Sequence, residues 1–200
     1  MQKFSQWLLK MLGWKTIVSV SEPPKSVICV APHTSNWDFL IGKLYYWSLG
    51  RSASFLMKKS WFFFPVGSIL RAMGGVPVDR SKRTSVTQQM AEEFKTRDTF
   101  HLAITPEGTR KFVSKWKMGF YHIAVKAAVP IELAYFDYGK KEMGITSVIF
   151  PTGDEALDLA KIQSFYKDVE ARHPENFHKH KTLITAVKET ESPKKEKTEE

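Results

Sequence analysis

The chain has a single cysteine among its 200 residues, which excludes a disulfide framework. Cys and His are not paired at zinc-finger spacing, and there is no G-x-S-x-G nucleophile motif. No apolar run approaches the roughly 20 residues that a transmembrane helix needs. We therefore predict one ordinary domain without a metal site, in which Cys29 is a small buried residue of a strand and not a nucleophile.

Acidic residues are few relative to basic ones: 21 Asp and Glu stand against 30 Lys and Arg, a formal net charge of +9. Such an excess implies an anionic partner, and nucleic acid, phospholipid headgroups and phosphorylated metabolites all qualify. The basic residues are scattered, and the chain has no recognition-helix, RNP-like or zinc pattern. We therefore expect no nucleic-acid partner.

The first 14 residues form a predicted amphipathic helix without the small-residue cleavage site of a signal peptide. Its apolar side chains recur at helical spacing beside Lys3, Lys10 and Lys15: Phe4, Trp7, Leu8, Met11 and Leu12. Two interpretations are equally open. The helix packs on the domain, or it lies in a membrane interface with Trp7 and Trp14 at the headgroups and the lysines facing anionic lipid.

Strand and helix patterns alternate through the rest of the chain. Strands are predicted at 26–31, 54–57, 100–105, 131–136 and 146–150, and helices at 39–49, 61–73, 84–95, 120–127 and 157–172. This alternation predicts a single α/β domain with a mixed, mostly parallel sheet flanked by helices. We place the domain at residues 15–187, and a charged tail without apolar residues at 188–200.

The turn between strand 26–31 and helix 39–49 contains His33 and Asp38. In a strand-to-helix turn the two side chains can meet, so that Asp38 accepts a hydrogen bond from one imidazole nitrogen and leaves the other as a base. The alternative is structural, because Ser35 and Asp38 also fit an S-x-x-D capping box.

Two further loops carry groups that suit a phosphate. Thr105–Arg110 (TPEGTR) follows a strand and offers backbone N–H groups, a hydroxyl and a guanidinium, although an ordinary surface turn is equally consistent. Gly74–Arg80 (GGVPVDR) ends in Asp79 and Arg80, with two more cations after them.

His-x4-Asp, GGVPVDR, PEGTR and the VPI at residues 129–131, in this order, resemble the lysophospholipid/glycerolphosphate acyltransferase superfamily. A typical member is 1-acylglycerol-3-phosphate acyltransferase. The motifs cover residues 31–131, half of the chain. The resemblance implies a glycerolphosphate acyltransferase-like fold. An acyl chain needs an apolar groove, which side chains of 39–47 and 61–64 are available to line or flank, and core packing is the alternative role for most of them.

The resemblance also implies roles for particular residues. His33 would be the general base and Asp38 its partner. The acceptor's phosphate would be bound by five residues: Arg80, Glu107, Gly108, Thr109 and Arg110. Acyl-CoA or acyl carrier protein would be the co-substrate, with no other cofactor.

The implied activity is transfer of a fatty acyl group to the hydroxyl of a lysophospholipid, 1-acylglycerol-3-phosphate, in phospholipid biosynthesis. The enzyme would lie on the cytoplasmic face of the membrane as a peripheral protein, bound to anionic lipids. Two alternatives remain: another lyso-lipid acceptor, or a catalytically altered lipid-binding relative, for which Pro32 before His33 is the hint.

Overall fold

The centre of the molecule is a sheet built from short apolar strands. A computed structural model describes residues 1–79 and 85–178 of the chain. The strands within that part are Lys15–Val18 (β1), Lys25–Val30 (β2), Ser54–Lys58 (β3), Gly75–Val78 (β4), Phe100–Ile104 (β5), Ile131–Asp137 (β6) and Glu142–Ile149 (β7). The helices are Gln2–Met11 (α1), Trp37–Ser48 (α2), Val66–Ala72 (α3), Val86–Thr96 (α4), Gly119–Ala127 (α5) and Glu155–Phe165 (α6).

The strands are ordered β1-β7-β6-β2-β5-β3-β4. β6, β2, β5, β3 and β4 run parallel, β7 runs antiparallel to β6, and β1 pairs parallel with β7. The predicted fold class, an α/β domain with a mixed, mostly parallel sheet, is confirmed. Because β2 lies between β6 and β5, the loops after β2 and β5 meet at one edge of the sheet.

Alternate residues of β2 face opposite sides of the sheet, and both sides are covered. Val27 and Cys29 are fully buried in the larger cluster, with side chains of α4, α5 and α6. Ile28 is buried on the other side with residues of α1 and α2. Coverage on both faces explains the continuous apolar run of this strand. Cys29 lies in the strand core, where burial raises the pKa of its thiol, as expected of a structural residue.

Several predicted boundaries were wrong. The helix expected over 61–73 begins only at Val66, because Phe64 precedes Pro65 and a residue before proline disfavours helical backbone. The helix expected over 157–172 ends at Phe165, and the next residue, Tyr166, turns inward to donate its hydroxyl to the Cys29 carbonyl at 2.7 Å. The short strand β1 was not predicted.

Helix α1 packs against the domain through one side and leaves its other side exposed. Leu9 is buried against α2, whereas Phe4 and Trp7 are more than half exposed. The interfacial interpretation placed Trp14 at the lipid headgroups, and this is wrong. Trp14 is buried and packs edge-to-face with Tyr138, with the ring centroids 5.1 Å apart.

Among residues 1–79 and 85–178, no helix combines the length and the apolar character needed to cross a bilayer.

Candidate active site

The predicted site lies at the edge of the sheet where β2 and β5 end. The turn at 31–36 leads from β2 into α2, and the loop at 105–110 follows β5. Pairing of β2 with β5, with Cys29 opposite Ile104, sets the two loops side by side. The backbone N–H of His33 accordingly donates to Glu107 Oε1 at 3.0 Å. Two motifs more than 70 residues apart in sequence therefore form one structural unit.

His33 and Asp38 are in direct contact. Asp38 Oδ2 lies 3.1 Å from His33 Nδ1. The imidazole is partly exposed and the carboxylate is buried, with 17% and 2% of their side-chain surfaces accessible. When the Nδ1–H group donates a hydrogen bond to the carboxylate, the free lone pair of the imidazole is on Nε2. The pair has the arrangement of a base oriented by an acid.

The Asp38 carboxylate is held by several donors besides His33. Oδ2 also accepts from the backbone N–H groups of Thr34 and Ser35, each at 2.9 Å, and Oδ1 accepts from the Tyr138 hydroxyl at 2.6 Å. Burial alone would raise the pKa of Asp38, but the hydrogen bonds from His33, Tyr138 and Ser35 outweigh it and hold the pKa below its usual value. The contact of Asp38 with the Ser35 N–H is one half of the predicted capping box; the other half does not form, because Ser35 Oγ accepts from the Trp37 N–H at 3.2 Å and the N-cap of α2 is Asn36.

Glu107 lies inside the molecule, away from the open surface of its loop. It is 3% exposed, and Oε1 accepts the His33 backbone N–H. Oε2 is buried without a hydrogen-bond partner among the described residues. Burial raises the pKa of Glu107. The carboxylate therefore stabilises the backbone of the His33 turn from inside the molecule. It was expected instead to contact the acceptor's phosphate.

Gly108, Thr109 and Arg110 of the PEGTR loop are accessible from outside, whereas Pro106 is buried. Gly108 adopts a φ of 64°, the left-handed conformation that glycine tolerates best, and it is exposed together with Arg110. Arg110 donates through Nη1 to Asn36 Oδ1 at 2.5 Å, which brings its guanidinium beside the His33 turn. Thr109 is half-buried, and its hydroxyl accepts from the N–H of Lys111 at 3.3 Å. Arg80, the other predicted phosphate ligand, lies outside the described residues.

A mostly apolar cavity of about 770 Å³ opens beside His33. It lies between α2 and the sheet, and its lining includes His33, Asp38 and Arg110 at one end. Apolar side chains from α2 and the strands form much of the wall: Phe39, Leu40, Phe55, Leu56, Ala103 and Phe136. Residues 61–64, expected to line or flank such a groove, are not part of this lining. The cavity can hold a flexible apolar chain with one end at the His33–Asp38 pair.

Comparison with known proteins decides the family. The sequence profile of the acyltransferase family matches residues 17–132, more than half of the chain. This chain belongs to the acyltransferase family. The predicted superfamily and enzyme class, an O-acyltransferase, are thereby confirmed.

The fold of this acyltransferase also has a counterpart among experimental structures. It is similar to the crystal structure of the 1-acyl-sn-glycerophosphate acyltransferase PlsC from Thermotoga maritima, with a TM-score of 0.56 and 20% sequence identity. The similarity covers 97% of this chain and 80% of that one. No curated protein sequence matches the chain.

Sequence reasoning missed three side chains that complete the site of this acyltransferase. Tyr138 lies at the end of β6 and reaches Asp38 from a position 100 residues further along the chain. Asn36 holds Arg110. Lys117 crosses the PEGTR loop, since its Nζ lies 3.0 Å from where a Cβ on Gly108 would be. Asn36 lies within the His-x4-Asp segment, so the motif could have indicated it. No motif or spacing in the sequence indicates Tyr138 or Lys117.

Proposed function

We propose that this acyltransferase moves a fatty acyl group from acyl-CoA or acyl carrier protein to the hydroxyl of a lysophospholipid, 1-acylglycerol-3-phosphate. The observation that carries the proposal is the His33–Asp38 pair, 3.1 Å apart, at the mouth of an apolar cavity and beside the Arg110 guanidinium. The His33–Asp38 pair suits a general base, the cavity suits an acyl chain, and the guanidinium suits a phosphate. The activity in the name of the PlsC structure supports the choice of acceptor.

His33 is the general base of the proposed reaction. The Nδ1–H group donates a hydrogen bond to Asp38, so Nε2 is free to take the proton of the acceptor hydroxyl. Because the pKa of Asp38 is held below its usual value, the carboxylate stays ionised at neutral pH and stabilises the imidazolium that forms. Such a positioned base contributes about 10²–10⁴-fold to the rate.

The chemical step exchanges a thioester for an ester. The acceptor oxygen attacks the carbonyl carbon of the thioester as its proton passes to His33 Nε2, and a C–O bond forms. The C–S bond then breaks, and the sulfur of the carrier leaves with the proton that His33 returns. No acyl-enzyme is formed, so the buried Cys29 needs no role.

Binding of the acceptor's phosphate is assigned to the exposed part of the PEGTR loop. Arg110 offers a guanidinium, and Thr109 offers a backbone N–H group and a hydroxyl close by, whereas the backbone N–H of Gly108 donates to the Thr105 carbonyl at 3.1 Å, so Gly108 contributes only the absence of a side chain. Arg80 is proposed for the same phosphate from the sequence alone. Glu107 receives a positioning role instead, because its buried carboxylate fixes the backbone of His33.

The proposed enzyme works as a peripheral protein on the cytoplasmic face of the membrane. Helix α1 presents Phe4, Trp7 and Met11 on its exposed side, next to lysines that attract an anionic leaflet. An acceptor with one acyl chain resides in that leaflet, so docking brings the site to its substrate.

The proposal is tested with labelled acyl-CoA and acyl carrier protein offered against a panel of acceptors, with products identified by mass spectrometry. The panel contains lysophosphatidate, glycerol 3-phosphate and a lyso-aminolipid. Phosphatidate is the expected product, formed faster than any other. A faster reaction with another acceptor would overturn the acceptor assignment, and binding of lipid without transfer from any donor would identify a lipid-binding relative.

A further inference from the structure

One wall of the cavity carries a buried lysine that the proposed chemistry does not use. Lys43 lies on α2, is 9% exposed, and belongs to the lining together with His33. Its ammonium donates to the Ala53 carbonyl at 2.9 Å and lies 5.1 Å from the centre of the Phe55 ring. The ammonium also lies 3.4 Å from where a Cβ on Gly74 would be.

Lys43 lies deep in the cavity relative to His33. Its partner Ala53 precedes β3, and the strand register through β5 places Ala53 level with Ser26, at the amino end of β2. His33 lies beyond the opposite end, past Val30. The four residue steps from Ser26 to Val30 span about 13 Å at about 3.3 Å per residue. An extended chain advances about 1.2 Å per bond, so roughly eleven bonds connect these two levels.

The ammonium of Lys43 has more donors than partners. It carries three N–H groups, and among the described residues only the Ala53 carbonyl accepts from it. No carboxylate of those residues pairs with it, and burial lowers its pKa. A buried charge without enough acceptors is costly to maintain.

A second polar group on the same helix is also without a partner. Tyr46 follows Lys43 by three residues, which puts the two on one side of α2, and it too belongs to the cavity lining. Its hydroxyl is buried and has no hydrogen-bond partner within the part of the chain that the structure describes. Burial raises the pKa of this hydroxyl, so it remains a neutral donor.

We propose that the deep end of the cavity binds an oxygen atom carried by the acyl chain, with Lys43 as the donor to that oxygen. The substrate class is an acyl group bearing a hydroxyl or oxo function roughly eleven bonds from the reacting carbonyl. This inference rests on the proposed function, since it specifies the acyl group transferred at His33. The Tyr46 hydroxyl is a further donor of the same lining that has no partner among the described residues.

The two kinds of acyl chain are distinguished by whether they give the Lys43 ammonium a hydrogen-bond acceptor when they exclude water from it. An unsubstituted chain that reaches Lys43 excludes water from the ammonium and gives it no acceptor in return. A chain with an oxygen at that depth replaces the acceptor that water provided. Sites that hydrogen-bond a substrate oxygen discriminate strongly against analogues that lack it.

The test compares two donors that differ in one atom, dodecanoyl-CoA and ω-hydroxydodecanoyl-CoA, with the same acceptor. The wild-type enzyme should use the hydroxylated donor with a kcat/KM about tenfold or more above that of the plain donor. Lys43→Met, which keeps an unbranched apolar side chain one atom shorter than lysine and removes the charge, should reverse or abolish the ratio. Lys126→Met, the same change at an exposed position of α5, should leave it unaltered.

A direct binding measurement keeps the inference testable if Lys43→Met does not fold. Calorimetric titration of the wild-type protein with ω-hydroxydodecanoyl-CoA and with dodecanoyl-CoA, without acceptor, should give the hydroxylated thioester a Kd about tenfold lower. Equal use of the two donors, or equal Kd values, would overturn the oxygen site. Transfer that depends on His33 without this preference would refute the oxygen site alone. Absence of transfer from every donor would refute the proposed function, and the ratio of Kd values would still decide the oxygen site.

Discussion

The hydroxyl of Tyr138 donates to Oδ1 of Asp38 at 2.6 Å, joining the end of β6 to the start of α2 across 100 residues of sequence. The other carboxylate oxygen contacts His33 Nδ1. The three side chains form a chain from hydroxyl to carboxylate to imidazole. Tyr138 is therefore a positioning residue, because it acts on His33 only through Asp38.

Tyr138→Phe should lower kcat about threefold to tenfold and change both KM values little, because a hydrogen bond to a charged group is worth about 1.5–3 kcal/mol and only part of it orients the base. It should also lower the free energy of unfolding at pH 7. The folded pKa of Asp38 is below its unfolded value, so this contribution exists above about pH 4 and is lost as the pH falls further.

Steady-state kinetics and urea unfolding at pH 7 and about pH 3 check both parts of this prediction. The matched control is Tyr121→Phe, which removes a hydroxyl that donates to the Asp158 carboxylate at 2.9 Å, away from the site. The control should lose stability and keep its kcat. Equal loss of kcat in both variants would assign Tyr138 a merely structural role.

Arg110→Ala should raise the KM for the acceptor about tenfold or more and leave that for the donor nearly unchanged, because a charge-assisted contact to phosphate is lost. The measurement is initial-rate kinetics with each substrate varied in turn. Lys111→Ala removes the adjacent exposed cation and should have a much smaller effect. A similar increase in both KM values would instead place Arg110 on the carrier's phosphates.

Glu107→Gln should stabilise the protein at pH 7, because glutamine can accept the His33 N–H without a buried charge. Burial raises the folded pKa of Glu107 above its unfolded value, so the wild type loses stability as the pH rises through that interval. The advantage of the variant should accordingly vanish near about pH 4 and grow toward neutrality.

Denaturant melts across this pH range measure the effect. Glu92→Gln, on the exposed side of α4, is the control and should show no such trend. A variant that is less stable than the wild type at pH 7 would mean that Glu107 is needed as a charge.

The local part of the site was predictable from sequence, and the long-range part was not. His33 and Asp38 lie five residues apart in one turn, so their contact follows from a strand that ends before them and a helix that begins after them. The approach of Glu107 and Arg110 follows from parallel strands, whose carboxyl ends share an edge. These features depend only on the order of elements and on nearest-neighbour pairing.

Tyr138 and Trp14 show why the rest was hidden. Tyr138 belongs to the turn between β6 and β7, and Trp14 is buried against it only because β1 pairs with β7. No spacing in the sequence indicates a pairing between the first strand and the last. Lys43 was similarly hidden, since a lysine in an apolar helix is ordinarily assigned to the solvent side, whereas α2 turns it toward a cavity.

The exposed side of α1 should be required for membrane binding. Phe4 and Trp7 are neighbours, with ring centroids 6.0 Å apart, and both are more than half exposed. Replacing both with aspartate should release the protein from anionic vesicles without changing the melting temperature, because neither side chain is packed in the core. Activity on a soluble short-chain acceptor should remain.

Vesicle co-sedimentation at several salt concentrations, with thermal melts, makes this measurement. The matched control is Phe150→Asp, at a single exposed aromatic residue after β7. Unchanged sedimentation of the double variant would remove α1 from the membrane contact, and reduced sedimentation of Phe150→Asp would show that charge alone causes the release.

The assignment of His33 as general base is tested most directly by single-turnover transfer with His33→Ala, alongside its melting temperature. The imidazole is on a surface turn and is not packed in either core cluster, so the fold should be retained. Acyl transfer should fall by about two orders of magnitude or more, the contribution of a general base. A folded variant that transfers acyl groups at close to the wild-type rate would contradict the proposed mechanism.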